Sequence, residues 1–358
     1  MDTIRDIDTV DIDLSEPAVV AIDQRLLPNE VRLLRLRTEE EIYDAIKALA
    51  VRGAPAIGVC AALGIYVVAE RISRESASDE EFIKEYIAAS DYIDSSRPTA
   101  VNLSWALRRM KKCLLTQYET EEVERESVLL TLQREAVAIR DEDIEMCKKI
   151  GEYGAELISD GDGILTHCNA GRLATVRYGT ATSPMYRAFG QGKNIKVYCD
   201  ETRPLLQGAR LTSYELFSAG IDTTVICDGM SASLMRDGRI QMVIVGCDRV
   251  AANGDVANKI GTSMVAAVAH YYGVPFYVAG PGSPIDLSTP TGRDIVIEQR
   301  DGSEVTDKWY EKPMAPKGVG VYNPAFDVTD AALITGIITE RGILRAPYTE
   351  SLKEVFKK

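Results

Sequence analysis

Residues 241–262 read QMVIVGCDRVAANGDVANKIGT. The stretch opens with an unbroken apolar run, Met242 to Val245, which predicts a strand buried on both faces. That strand delivers one carboxylate, Asp248, at its carboxyl end. A loop rich in Gly and Asn follows, and Asn258 and Lys259 are expected where the next helix starts. In an open α/β sheet, ligands bind in the crevice outside the carboxyl ends of the strands. A carboxylate behind an apolar strand is a candidate for partial desolvation, which lets it keep a proton as a general acid must. The plainer alternative is an Asp that caps the next loop or helix.

The same texture recurs on both sides. Apolar runs occur at 164–165, 195–198, 223–226, 242–245 and 275–278, and each ends in a polar, small-residue loop: THCNAG, CDETRP, CDGMSAS, GCDRVAANG and AGPGSPID. Helical patterns separate most of them, which predicts βαβ units and a Rossmann-like parallel sheet. No GxGxxG follows a strand, and the isolated Gly318-Val-Gly320 is misplaced for one, so dinucleotide binding is disfavoured. Upstream the pattern differs. Residues 1–40 alternate apolar and polar with Pro17 and Pro28 as breaks, suggesting short antiparallel strands. From Thr38, TEEEIYDAIKALAVRG has an acidic first turn and a Gly stop, the marks of a helix. Arg52-Gly-Ala-Pro-Ala-Ile-Gly58 then feeds an apolar helix over 59–72. Further helices are expected at 79–95, 103–118 and 121–150, with the acid-rich 119–126 as a solvated face. The reading is an α/β chain: a smaller, mainly helical domain with a short antiparallel β start over 1–145, and a Rossmann-like α/β domain over 146–358.

Composition narrows the partners. Charged residues make up 27% and the AVILMFWYC set 46% of the 358 residues, ordinary for a globular protein. A net charge of −13 argues against nucleic acid and against an anionic membrane surface. A phosphate-bearing small molecule remains open, because local amides and single basic side chains override global charge. The seven cysteines (60, 113, 147, 168, 199, 227 and 247) show no CxxC or zinc spacing, and the two histidines, His167 and His270, make a His-rich metal site improbable. The cysteines fit a reducing cytosol. The acidic N-terminus has no signal-peptide core, and no run is read as reaching the roughly 20 apolar residues of a membrane span. A cytoplasmic location is expected.

Several residues have the right chemistry at predicted strand ends. Cys168, in His167-Cys-Asn-Ala-Gly171, precedes a Gly and an expected helix, whose N-terminus stabilises a thiolate; a merely structural cysteine is the alternative. Successive strand residues face opposite ways, so His167 and Cys168 make an improbable dyad. The other six cysteines read as structural. Gln207 sits at the start of the helix after the second strand, where its amide either binds sugar or phosphate oxygens or simply caps. Asn258 and Lys259 suit a hydroxylated ligand. Asp200 and Asp228 also end strands, where an Asp more often begins a turn or cap. The Arg52–Gly58 loop is either an anion cradle or a tight helix–helix turn.

These motifs together carry a resemblance. Arg52-Gly-Ala-Pro-Ala-Ile-Gly58, Arg97-Pro-Thr-Ala-Val-Asn102, Thr166-His-Cys-Asn-Ala-Gly171, Glu201-Thr-Arg-Pro-Leu-Leu-Gln-Gly-Ala-Arg210, and Gly246-Cys-Asp-Arg-Val-Ala-Ala-Asn-Gly254 with Asn258-Lys-Ile-Gly-Thr262 occur in order. With Asp23-Gln-Arg-Leu-Leu-Pro28, they resemble the methylthioribose-1-phosphate isomerase family over about residues 20–345. The resemblance implies a two-domain fold, a homodimer and no metal or nucleotide cofactor. It also implies that Cys168 and Asp248 are catalytic, and that Arg52, Gly53, Ala54, Arg97, Gln207, Asn258 and Lys259 hold a sugar phosphate between the domains. Arg172 and Arg177 depart from the family pattern: each either faces solvent, pairs with an acidic neighbour, or contacts the C5 end of the sugar. The C5 group is accordingly methylthio, hydrogen or a second phosphate. The competing expectations are ribose-1,5-bisphosphate or 5-deoxyribose-1-phosphate isomerisation and, from another class, a regulatory subunit like those of translation initiation factor 2B.

Overall fold

The computed structural model describes residues 4, 6–98, 100–119 and 123–357. Thr99 of the Arg97–Asn102 motif and the expected helix start at Glu121 lie outside them. The chain divides into two compact units, Met1–Cys147 with Arg172–Gly179, and Lys148–Gly171 with Thr180–Lys358.

In the first unit, strands β1 (Val10–Asp13), β2 (Ala18–Ile22) and β3 (Leu33–Leu36) form an antiparallel sheet in that order. Five helices follow: α1 (Glu39–Lys47), α2 (Ala54–Glu75), α3 (Asp79–Asp94), α4 (Val101–Gln117) and α5 (Arg125–Ala155), the last turns of α5 belonging to the second unit. A capping box, with Thr38 and Glu41 bonding each other's backbone, starts α1. The pattern that seemed helical as far as Gly53 stops at Lys47, and Leu49 takes a left-handed backbone (φ 60°). Helix α2 is long and apolar enough to cross a membrane by length and composition, against the expectation that no run is. Its small and branched residues, Ala56 to Ala69, are instead buried in the core of this unit, packed with α1, α3 and α4.

Arg172–Gly179 packs with the first unit although its neighbours in sequence belong to the second. Asp143 of α5 accepts the Val176 N–H at 2.7 Å, Thr9 N–H donates to Val176 O at 3.0 Å, and the Thr9 hydroxyl donates to Arg172 O at 2.8 Å. No local sequence pattern marks this excursion. Asp143 is 3% exposed, and burial pushes its carboxyl up to about 7 against that single hydrogen bond. The folded chain therefore holds this proton where the unfolded chain has lost it. The stabilisation is complete below the ordinary carboxyl range and declines by about 1.4 kcal/mol per pH unit until pH 7. Thermal melts from pH 4 to 7 are expected to show this decline, and Asp143→Asn to flatten it.

The second unit carries a seven-stranded sheet built from β4 (Gly163–Thr166), β5 (Lys196–Asp200), β6 (Asp222–Ile226), β7 (Met242–Val245), β10 (Phe276–Ala279), β13 (Gly336–Thr339) and β14 (Gly342–Leu344), in the order β14-β13-β10-β7-β4-β5-β6. All pairings are parallel except β13 with β14. Strands β4, β7, β10 and β13 are buried at every residue, which is why the first three read as apolar runs; β13, like β14, was not foreseen. Helices α6 (Ser183–Gly190), α7 (Ser213–Ser218), α8 (Ser231–Arg236), α9 (Thr262–Tyr272), α10 (Ser303–Thr306) and α11 (Tyr348–Phe356) complete the main elements. A second sheet, unforeseen, has the order β11-β8-β9-β12 and is made of β8 (Arg249–Ala251), β9 (Val256–Lys259), β11 (Ile285–Asp286) and β12 (Phe326–Thr329).

Candidate active site

Chain order in the large sheet runs β4, β5, β6 to one edge, then returns to the other side of β4 with β7, β10 and β13. The direction of winding reverses between β4 and β7. The loops leaving these neighbours diverge there and open the crevice in which doubly wound sheets bind ligands. Cys168 lies two residues beyond β4 and Asp248 three beyond β7. Two candidates chosen from separate strand ends thus flank one switch point.

Cys168 is 8% exposed and has a left-handed backbone (φ 65°), unusual for a residue with a side chain. Both of its peptide groups are held. Its N–H donates to the Thr202 hydroxyl at 2.8 Å, and its carbonyl accepts from the Thr212 hydroxyl at 2.6 Å. Thr202, itself left-handed (φ 63°), is fixed by the Asp228 carboxylate, which accepts the N–H groups of Thr202 at 2.7 Å and Arg203 at 2.8 Å. Thr212 ends a π-helical segment, Gly208–Thr212, a rare geometry frequent at functional sites. Only the short turn Arg172–Ala174 and then α6 follow Cys168, so the α-helix expected directly behind Gly171 is replaced by a single turn.

His167 turns away from its neighbour, as strand alternation required. Its Nδ1 is 2.9 Å from Asp200 Oδ2 and its Nε2 is 2.8 Å from the Ile260 carbonyl. Burial alone would push His167 down, but the Asp200 hydrogen bond and charge hold it above its ordinary value. Burial raises Asp200 despite the hydrogen bond from His167. Among the described residues, His167, Asp200 and Asp228 bring ligand-type atoms within 4.8 Å of one another. Both ring nitrogens of His167 already serve hydrogen bonds, so a cation bound there would have to displace one of them. Burial pushes the Cys60 thiol up to about 12 and that of Cys199 upward too, which keeps them protonated as small apolar groups.

Two expectations are corrected. Asp248 is exposed, not desolvated: it has left β7 for a bend, where its N–H bonds Ala257 O at 2.9 Å. Asn258 and Lys259 do not start a helix. They end β9, because pairing with β12 extends the strand to Lys259 and a left-handed Gly261 delays α9 to Thr262. Asn258 is buried and donates to the Thr262 hydroxyl, while Lys259 donates to Ala325 O at 3.0 Å and lies 4.5 Å from the Phe326 ring centre. Gln207 is 7% exposed, and among the described residues its Oε1 finds no hydrogen-bond partner. Gln207, Lys259, Ile260, Leu205 and Arg300 line one small cleft, so Gln207 and Lys259 share a cavity wall.

In the first unit, Arg52 stands just before α2 and Arg97 just before α4, and these two helices pack together. Neither Gly53 nor Ala100, their N-caps, supplies a side-chain cap, which leaves first-turn N–H groups of the kind that bind anions. Gly53 has φ 93°, and a Cβ there would meet Ala174 backbone. Arg177 donates through Nε and NH2 to both oxygens of Asp8 at 2.6 Å, and Arg172 donates to Ile7 O at 2.8 Å. The acidic-neighbour alternative therefore holds for Arg177.

The family model for the initiation factor 2 subunit family matches residues 50–346. The chain belongs to this family. A methylthioribose-1-phosphate isomerase of Symbiobacterium thermophilum is 56% identical over 99% of this chain and 97% of its own length. A 5-deoxyribose 1-phosphate isomerase of Petrotoga mobilis is 54% identical over 95% of this chain and 96% of its own. Among solved structures, 5-methylthioribose 1-phosphate isomerase from Pyrococcus horikoshii matches with TM-score 0.91 at 42% identity, covering 98% of this chain and 96% of that one. A structure described as translation initiation factor eIF-2B, subunit delta, from A. fulgidus matches with TM-score 0.88 at 43% identity, covering 98% and 99%. The family's fold is thus the two-part α/β architecture described above. What the sequence did not disclose within this site is the His167–Asp200 pair and the two threonine clamps on Cys168; none of these contacts has a local sequence signal.

Proposed function

We propose that the protein is an aldose–ketose isomerase that converts 5-methylthio-α-D-ribose 1-phosphate into 5-methylthio-D-ribulose 1-phosphate, a step of methionine salvage. The isomerases that share more than half of its residues support the reaction class. The observation that carries the site is the pair Cys168 and Asp248 on the two strand ends at the switch point. In an aldose 1-phosphate the anomeric oxygen is blocked, so the ring does not open to a free aldehyde. Asp248 donates a proton to the ring oxygen as the C1–O bond breaks. The Cys168 thiolate then takes the C2 proton, giving an enol phosphate, and returns it to C1. The C2 hydroxyl surrenders its proton to the Asp248 carboxylate as the ketone forms, so both groups end as they began. The rival course is a hydride shift from C2 to C1 with Cys168 stabilising the transition state. Because Asp248 is exposed in the protein alone, bound substrate supplies the cover that its role as acid requires.

Arg52, Gly53, Ala54, Arg97, Gln207, Asn258 and Lys259 are the proposed substrate ligands, supported by the bare helix N-termini after Arg52 and Arg97 and by the cleft wall shared by Gln207 and Lys259. We further place the protein in the cytoplasm as a homodimer without metal or nucleotide cofactor; its elution at about twice 39.3 kDa checks the assembly. Arg177 is a poor candidate for holding a second phosphate at C5, since its fork is committed to Asp8. Arg177→Ala is expected to leave the substrate ranking unchanged. The test of the reading is turnover of 5-methylthioribose 1-phosphate, 5-deoxyribose 1-phosphate and ribose 1,5-bisphosphate side by side. The first is expected to lead. Preference for 5-deoxyribose 1-phosphate moves the assignment to the activity named for the Petrotoga relative. Binding of sugar phosphates without turnover favours the regulatory class named for the A. fulgidus structure.

A further inference from the structure

We propose that His167 and Asp200 form a buried hydrogen-bonded strut that fixes Cys168 relative to the Asn258–Lys259 strand end, which makes both of them positioning residues for the isomerisation. The inference rests on the functional reading above and goes beyond it, because it concerns groups proposed there neither as substrate ligands nor as catalysts.

The proton arithmetic is settled by the partners. Ile260 O only accepts, so His167 Nε2 carries a hydrogen. The Nδ1 contact with Asp200 Oδ2 needs another. The pair therefore holds two protons and has no net charge, whether written as imidazolium and carboxylate or as neutral ring and acid. Both side chains are wholly buried, so neither contact is exchanged for water without opening the unit. Asp228, the remaining acid of the cluster, is spent on the Thr202 and Arg203 N–H groups.

The anchor points give the strut its meaning. His167 directly precedes Cys168, and Ile260 directly follows Lys259. The ring spans from the end of β4 to the turn after β9, so its length sets the separation of the proposed nucleophile and the proposed ligands. A second observation agrees. Gly261 is left-handed (φ 101°), and a Cβ there would come 2.9 Å from the His167 ring. The turn backbone lies directly against the imidazole, an approach that needs glycine. Among the described residues, Asp200 Oδ1 makes no hydrogen bond and His167 is the one hydrogen-bonding partner of the Asp200 side chain.

The test compares His167→Gln, whose amide N–H reaches about as far as Nε2, with His167→Asn, which is too short to reach Ile260. Steady-state kinetics are paired with amide hydrogen exchange of residues 256–263. The asparagine variant is expected to lose about 30-fold or more in kcat and to raise KM, with exchange about three-fold faster; the glutamine variant, which keeps the Ile260 bond but leaves Asp200 without its ring partner, is expected to melt lower yet to stay within about five-fold of the parent in kcat. Equal kinetics for the two variants, losses that merely follow melting temperature, or unchanged exchange in the asparagine variant overturns the proposal. If His167→Asn does not fold, Gly261→Ala, which presses a methyl group on the ring from the turn, carries the same expectations. If the parent turns over no pentose 1-phosphate, the functional reading fails, and the exchange comparison alone decides whether the strut exists.

Discussion

Cys168→Ser is expected to lower kcat by about 10³-fold or more, about 4 kcal/mol of transition-state stabilisation, with melting temperature almost unchanged. The exchange of sulfur for oxygen is small in volume, and the backbone of this residue is held on both sides. The clamps from Thr202 and Thr212 act on the N–H and carbonyl of Cys168, so they survive any change of side chain. A serine hydroxyl at the same point is far too weak an acid to supply the anion, whichever course the C2 hydrogen takes. The measurement is single-turnover kinetics with 5-methylthioribose 1-phosphate alongside a thermal melt. A loss of activity that tracked a loss of stability would mark Cys168 as structural. Retained turnover would remove it from the chemistry.

Asp248→Asn is the second large effect. Kcat is expected to fall by about 10²–10⁴-fold while substrate binding changes little, because the amide keeps the shape and removes the proton donor. Asp248 is exposed and asparagine keeps its size and shape, so the fold is expected to tolerate the exchange, and a thermal melt checks this. An electron-withdrawing group that makes the ring oxygen a better leaving group is expected to recover part of the loss in the asparagine variant and little in the parent. A uniform response of both proteins would assign the proton on the ring oxygen to another group.

The parts of this molecule that were legible in its sequence are those with a local physical cause. Strand β7 is buried at all four residues, so it had to read as a continuous apolar run, and the polar loop after it had to lie at the crevice. The Cys168 loop was found in the same way, and strand alternation correctly separated His167 from Cys168. What stayed hidden depends on partners far along the chain. Strand β9 begins with Val256 and ends in Asn258 and Lys259, a pattern with no strand signal; it exists because β12, with Asp327 opposite Asn258, pairs with it. Strands β8 and β11 are three and two residues long, too short for any periodicity. The return of Arg172–Gly179 to the first unit hangs on Asp143, Thr9 and their bonds to that segment. Asp248 was misjudged because an apolar strand says nothing about how far the next bend carries its residues outward.

The central claim is that this crevice isomerises an aldose 1-phosphate. It is tested most directly by carbon NMR of 5-methylthioribose 1-phosphate labelled at C1, incubated with the protein and, in parallel, with Cys168→Ser. The anomeric signal is expected to give way to a phosphate-bearing methylene beside a new ketone carbonyl, in the parent protein and not in the variant. An anomeric signal that persists with the parent protein, while the sugar phosphate is bound, would contradict it.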